Sequence, residues 1–172
     1  VPKNISLSTL HSLGCSILYR EYRRNVQVNE YKLYQIAKKI DRTFEIDKKR
    51  KEYYIFNLIK IIDLYRMCLK HDFPCIRDII IEFNIETIGN EIKDAEKLLK
   101  AYYKYNRNWN NEPNAKFMVD YVDMIYLPNV NNFQFPKYDE ILLDEAQDLN
   151  IAQQQLIEKI ISPTGRIISV GD

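Results

Sequence analysis

Apolar residues recur along this chain with two different periods, and the change of period divides it. YDEILL (138–143) and RIISV (166–170) are short apolar runs with polar boundaries, which predicts strands of the sort buried on both faces of a parallel sheet. ISLSTL (5–10) sets Ile5 and Leu7 against Ser6 and Ser8, and this alternation of period two predicts an earlier strand. Between the two later strands, Leu149, Ala152, Leu156 and Ile160 recur at helical spacing. Asn150 and Gln153 form a capping-box pair at the start of that helix, and Pro163 with Gly165 closes it. Strand, helix and strand with short links make a βαβ unit, normally a right-handed parallel crossover.

From Tyr19 to about Lys116 the pattern is helical. Residues 50–70 place Ile55, Leu58, Ile59, Ile62 and Leu69 on one stripe, and residues 90–105 place Ile92, Ala95, Leu99, Tyr102 and Tyr103 similarly. A shorter helix is expected at 29–41. The polar, structure-breaking NRNWNNEPN (106–114) reads as the loop leaving this block. A last helix, about 114–126, leads back towards the strands and stops before Pro128. The expected fold is therefore α/β: a parallel sheet interrupted by an all-helical insertion.

Composition narrows the function classes. At 172 residues the chain buries roughly 70% of its unfolded surface, enough for one domain with an insertion. A net charge of +1 gives no overall basic field, so any nucleic-acid site must be local. Cys15, Cys68 and Cys75 form no CxxC and suit buried thiols of a reducing compartment. No apolar run approaches the ~18 residues of a membrane span and no signal-peptide pattern opens the chain, so an intracellular location is expected. There is no initiating Met, and the chain stops at SVGD just as a strand finishes, which points to a fragment.

Candidate chemistry falls at the ends of the three expected strands, where open parallel sheets bind ligands. Thr9-Leu10-His11-Ser12 follows the first, Asp144-Glu145-Ala146-Gln147-Asp148 the second and Gly171-Asp172 the third. An apolar strand running into Asp-Glu is the Walker B arrangement: one carboxylate fixes Mg²⁺ through its water shell, and its neighbour accepts a proton from the attacking water. Cation charge is what makes such clustered acids tolerable. The simpler alternative is a solvated acidic turn in which Asp148 or Asn150 only caps the next helix. His11 taken alone reads as a structural histidine, and His71 as a helix C-terminal residue favoured by the dipole. Tyr102 and Tyr103 read as packing residues, while for Trp109 stacking and loop anchoring both stay open. The basic runs Tyr22-Arg23-Arg24 and Asp47-Lys48-Lys49-Arg50-Lys51 read as solvated faces, with phosphate contact as the alternative.

LLDEAQD resembles motif II of the superfamily 1A DNA helicases, the UvrD/Rep/PcrA-like group. STLHSLGCSIL (8–18) is similar to their T-x-H motif, VGD (170–172) to the start of their motif III, and DYVDMIYLP (120–128) to the segment returning from their helical 1B subdomain. The resemblance follows the same order along the whole chain. It implies a partial RecA-like parallel sheet of P-loop NTPase type, with residues 1–19 and 114–172 in core domain 1A and 20–113 as a 1B-like insertion. It also implies an ATP-dependent helicase moving 3′ to 5′ on single-stranded DNA, with ATP and Mg²⁺ as cofactors. Asp144 would hold Mg²⁺ and Glu145 would activate water, both touching the metal through its water shell. Gln147, Asp148, Gly171 and Asp172 would couple nucleotide state to DNA, and Thr9, His11 and Ser12 would line the DNA path.

The four glycines, Gly14, Gly89, Gly165 and Gly171, cannot form the phosphate-cradling G-x-x-x-x-G-K-[ST] loop. These residues alone are therefore expected to be inactive, completed in the parent by a Walker A segment and a second RecA-like domain. Two alternatives stand beside this: a helicase–nuclease subunit sharing the motor, and a truncated, non-catalytic module that binds DNA or protein.

Overall fold

The computed structural model describes residues 5–23, 25–44, 46–69, 75–108 and 116–171. Arg24, His71, Trp109 and Asp172, together with most of the expected 106–114 loop, lie outside these residues. In chain order the elements are α1 (Leu10–Glu21), β1 (Val26–Val28), α2 (Lys32–Ile40), α3 (Lys51–Cys68), α4 (Ile76–Glu82), α5 (Glu91–Asn108), β2 (Phe117–Val119), α6 (Tyr121–Val130), β3 (Tyr138–Leu143), α7 (Ile151–Ile160) and β4 (Ile161–Ser169).

Helix α3 is the centre of the helical part. It buries Tyr54, Ile55, Leu58, Ile61, Ile62 and Tyr65, a face much wider than a single stripe, because α2, α4, α5 and α6 pack around it. In α5 the buried line is Glu91, Asp94, Ala95, Leu98 and Tyr102; Ala95 and Tyr102 lie on the expected line, whereas Ile92 is exposed and Leu99 and Tyr103 are half-buried. Two acids stand in the buried line for a physical reason. Glu91 accepts the backbone N–H groups of Ile88 (2.7 Å) and Gly89 (2.9 Å), and Asp94 accepts the Tyr54 hydroxyl at 2.9 Å. Hydropathy marks such residues as surface, whereas satisfied carboxylates can be buried.

Strands β1 and β2 bracket the helices α2 to α5 and pair in parallel, Val26 opposite Phe117 and Val28 opposite Val119. Each is three residues long, too short for an apolar period to reveal from sequence. β3 and β4 form the expected parallel pair, Glu140 opposite Arg166 through Leu143 opposite Ser169, with α7 as their crossover. The capping box is present: Asn150 Oδ1 accepts Gln153 N, and Gln153 Oε1 accepts Asn150 N, both at 3.0 Å. β4 begins directly after α7, at Ile161, and carries Pro163 and Gly165 within it. The expected two-sided burial of this pair is not found. Leu142, Ile167, Ile168 and Val170 are exposed, because among the described residues β3 and β4 pair only with each other.

Two further expectations change. Residues 5–9 pair with no described strand; Thr9 instead caps α1, its Oγ1 accepting Ser12 N at 3.1 Å. A strand needs a hydrogen-bonding neighbour, and Thr9 with Ser12 offers a local alternative. The helix expected at 114–126 is a strand at Phe117–Val119 followed by α6, which continues through Pro128. Pro128 cannot donate to the carbonyl of Met124, one turn earlier. Gly14 of α1 packs against that carbonyl so closely that a Cβ there would stand 1.8 Å from the oxygen. Glycine is thus required at position 14 by close approach, and its φ is not positive.

At the neck between the helical part and β2, α2, α3, α5 and α6 meet around buried charges. The Arg66 guanidinium, 1% exposed, donates to both Asp120 carboxylate oxygens at 3.0 Å, to Asp123 Oδ1 at 2.8 Å and to Asp63 Oδ1 at 2.6 Å. Lys32, equally buried, donates to Asp123 Oδ2 (2.6 Å) and Asn106 Oδ1 (2.7 Å), and the Tyr102 hydroxyl donates to Asp123 Oδ1 at 2.5 Å. Asp120 and Asp123 also form a reciprocal capping box at the start of α6, Asp123 N to Asp120 Oδ1 at 2.8 Å and Asp120 N to Asp123 Oδ2 at 3.1 Å.

Burial disfavours the charge on Arg66, but Asp120 and Asp123 outweigh it and raise the guanidinium well above its ordinary value. For Asp123 burial is likewise the largest opposing influence, and Lys32 and Arg66 overcome it to hold the carboxyl below its usual range. Asp120, without a lysine of its own, is pushed upward by burial despite Arg66. Burial also lowers Lys32, with Asp123 pulling the other way.

Replacing Arg66 by Met leaves the buried Asp120 without its main partner and Asp123 with Lys32 as its remaining cation, and urea unfolding is expected to show a loss of about 3–5 kcal/mol. Gly14→Ala should cost about 1–3 kcal/mol in the same assay, as overpacking does. Since Asp123 is depressed in the fold, its stabilisation is fully present above the unfolded carboxylate value of about 4 and is lost as pH falls through the folded one. The stability gap between the parent and Asp123→Asn should therefore hold from pH 7 to about 4 and shrink in stronger acid.

Candidate functional site

The chain leaves β3 at Leu143 and turns sharply. Glu145 adopts a left-handed backbone conformation (φ 51°, ψ 47°), uncommon for a residue with a β-carbon, and opens a short 3₁₀ turn over Ala146–Asp148. The turn is held on both sides. Asp144 Oδ1 accepts Glu145 N at 3.1 Å, and Asp148 N donates to Glu145 O at 3.0 Å. The parallel ladder also runs on past the strands, with Val170 N donating to Leu143 O (2.9 Å) and Ala146 N to Val170 O (3.1 Å). The two strand ends are consequently one unit.

Within it, Gln147 Nε2 donates to Glu145 Oε2 at 2.5 Å. Gln147 Oε1 lies against Gly171, where an added Cβ would stand 1.9 Å from it. A side chain at position 171 would displace Gln147, and through it the partner of Glu145. Asp144, Glu145 and Asp148 are exposed, their carboxylates standing in solvent at the strand end.

The sequence therefore anticipates correctly that 144–148 and 170–171 converge. It does not anticipate where Thr9, His11 and Ser12 fall. These stand in the first turn of α1, Thr9 and Ser12 joined by the cap, and His11 half-buried with its ring edge-on to Tyr121 of α6 at 6.5 Å. The described hydrogen bonds and ring contacts do not link this group to 144–148. The left-handed Glu145 and the close approach of Gly171 are also missed, the first because no residue-type signal announces it. A glycine directly after an apolar strand is a signal for the second.

Among the described residues no three His, Cys, Asp or Glu side chains converge to hold a metal ion. Asp144 and Glu145 nevertheless suit Mg²⁺, a hard cation that keeps several waters and takes one or two carboxylates beside the phosphates of a bound nucleotide. The donor set fits; it provides carboxylate oxygen alone, without the nitrogen or sulfur ligands that favour zinc.

Comparison with known proteins gives the last observation. No curated protein and no solved structure matches the chain. The family model described as the UvrD/REP helicase N-terminal domain matches residues 2–172. Strand, acidic turn, crossover helix and returning strand thus stand within a match that spans nearly the whole sequence, and the chain belongs to the UvrD/REP family of superfamily 1 helicases.

Proposed function

We propose that this chain is part of the first motor domain of an ATP-driven DNA helicase that translocates 3′ to 5′ on single-stranded DNA. In this reading residues 1–19 and 114–172 belong to a RecA-like core, and 20–113 are a helical 1B-like insertion. The observation that carries it is the joining of the Asp144-Glu145 turn to Val170-Gly171 at the carboxyl ends of two parallel strands. That is the place where open α/β sheets hold ligands.

Bound at this turn, Mg²⁺ and ATP would supply an electrophilic γ-phosphoryl group with its charge neutralised. The chain's own residues divide the remaining work. Asp144 would hold the cation through its water shell, and Glu145 would accept the proton of the attacking water. Gln147 holds Glu145 by hydrogen bond and rests on Gly171, so a shift at either strand end changes the orientation of the base. Gln147, Asp148, Gly171 and Asp172 carry that change towards the DNA side, where Thr9, His11 and Ser12 line the strand's path. Thr9 and Ser12 are supported in this by the rigid cap of α1, which leaves both exposed at a helix N-terminus, where phosphate oxygens are favoured.

In the protein carrying this segment with its phosphate loop, Glu145→Gln should lower ATP turnover by about 10²-fold or more while nucleotide binding survives. Turnover within a few-fold of the parent would show that Glu145 is not the base. Gly171→Ala should also slow turnover, by about tenfold through displaced positioning of Glu145, while magnesium–nucleotide affinity measured by titration stays within a few-fold.

A further inference from the structure

Away from the strand ends, the outer faces of α2 and α3 carry the same pattern twice. Tyr31, Tyr34 and Lys38 stand at i, i+3 and i+7, and Tyr53, Phe56 and Lys60 at the same spacing, so each trio shares one helical face. The two faces meet. Tyr34 and Phe56 stack with ring centroids 5.7 Å apart and 24° between planes. Glu52 accepts the Tyr34 hydroxyl at 3.0 Å and Lys38 Nζ at 2.7 Å, and Lys51 reaches Asp41 at 3.1 Å. The helices therefore run antiparallel with their trios side by side.

Tyr31, Tyr53 and Phe56 are 61%, 58% and 60% exposed, so most of their ring surface meets water. Every strongly exposed apolar side chain on α2 and α3 is an aromatic ring; exposed aliphatics such as Ile81, Leu142 and Ile168 sit on other elements. The stripe is also rimmed by cations. Arg42, Lys49 and Arg50 are exposed near its Tyr53 end and Lys60 at the other, and none forms an ion pair with a described residue. Glu52, the acid inside the stripe, is engaged by Lys38 and Tyr34, which leaves Glu30 and Asp47 as the acids at its margins.

We propose that this α2–α3 face binds an unpaired DNA strand, with bases stacked on Tyr31, Tyr53 and Phe56 and phosphates met by Lys60, Arg42 and Arg50. Stacking on rings is sequence-tolerant, because every base has a π-face, and flanking cations track the backbone. Rings and arginine also serve protein interfaces; it is the four exposed cations along the rim, set against two acids, that favour a polyanion. Charge complementarity selects the strand. The surface goes beyond the motor reading and does not depend on it: Thr9, His11 and Ser12 lie on α1, a different element.

The test is nucleotide-free binding of a labelled oligothymidylate of about 20 nucleotides to the intact protein, followed by anisotropy across a salt series. Tyr53→Ala with Phe56→Ala should weaken binding at least tenfold, on the order of the loss of one stacked base, with circular dichroism unchanged because both rings are exposed. Arg50→Gln with Lys60→Gln should flatten the salt slope by about 1.4, the value for two phosphates on a single strand. Parent-like affinity in the aromatic variant overturns the proposal. If His11→Ala then weakens binding, the α1 path stands while this surface falls; if only the aromatic variant weakens it, the surface stands and the assignment of His11 falls. Self-association of the parent that the aromatic variant abolishes, with oligonucleotide affinity untouched, would make the face a protein interface and also overturn the proposal.

Discussion

The Arg66 guanidinium is out of reach of water, so its charge must be met by protein groups or the fold around it cannot form. Three carboxylates meet it, and they come from two places: Asp63 one turn away on α3, and Asp120 and Asp123 at the start of α6. Lys32, the first residue of α2 after the β1 strand, shares Asp123. The segment leading into the helices and the segment leading out of them are thereby fastened to the last turn of α3, the central helix. The parallel pairing of β1 with β2 lies beside this cluster, the Lys32 ammonium standing 5.3 Å from the centre of the Phe117 ring.

An ion cluster of this kind is a poor source of net stability, since desolvating its charges costs about as much as their attraction returns. What it supplies is geometry. Asp120 and Asp123 cap α6 and bind Arg66 with the same carboxylates, so the start of α6 has one orientation relative to α3. α6 in turn presents the Met124 carbonyl to Gly14 of α1 and packs Ile125 against Leu156 and Ala152 of α7, the crossover helix of the β3–β4 pair. The neck and the acidic turn therefore belong to one mechanical chain: α3, α6, α7, then the strand ends. In the proposed motor, that chain is the connection between the helical part and the nucleotide.

The acidic turn itself is organised by backbone more than by side chains. Glu145 sits in the left-handed region because the ladder beyond β3 fixes Ala146 to Val170 on one side and the 3₁₀ turn fixes Asp148 on the other. This aims the carboxylate at Gln147, and Gln147 in turn requires the missing side chain of Gly171. Three residues from two strands are thus set by one constraint of space.

Local chemistry decided what the sequence alone could disclose. The strand 138–143, the helix after Asn150, the long helices and the ordered motifs through LLDEAQD were all legible, because periodicity, caps and residue type act over a few neighbours. Tertiary structure decided the rest. It turned 5–9 away from strand and made Thr9 a cap, placed Glu91 and Asp94 in a buried line, carried α6 through Pro128, and gathered Lys32, Arg66, Asp120 and Asp123 from across 91 positions of chain. A charged residue reads as surface until its partners are known, and partners so far apart in sequence are brought together only by packing.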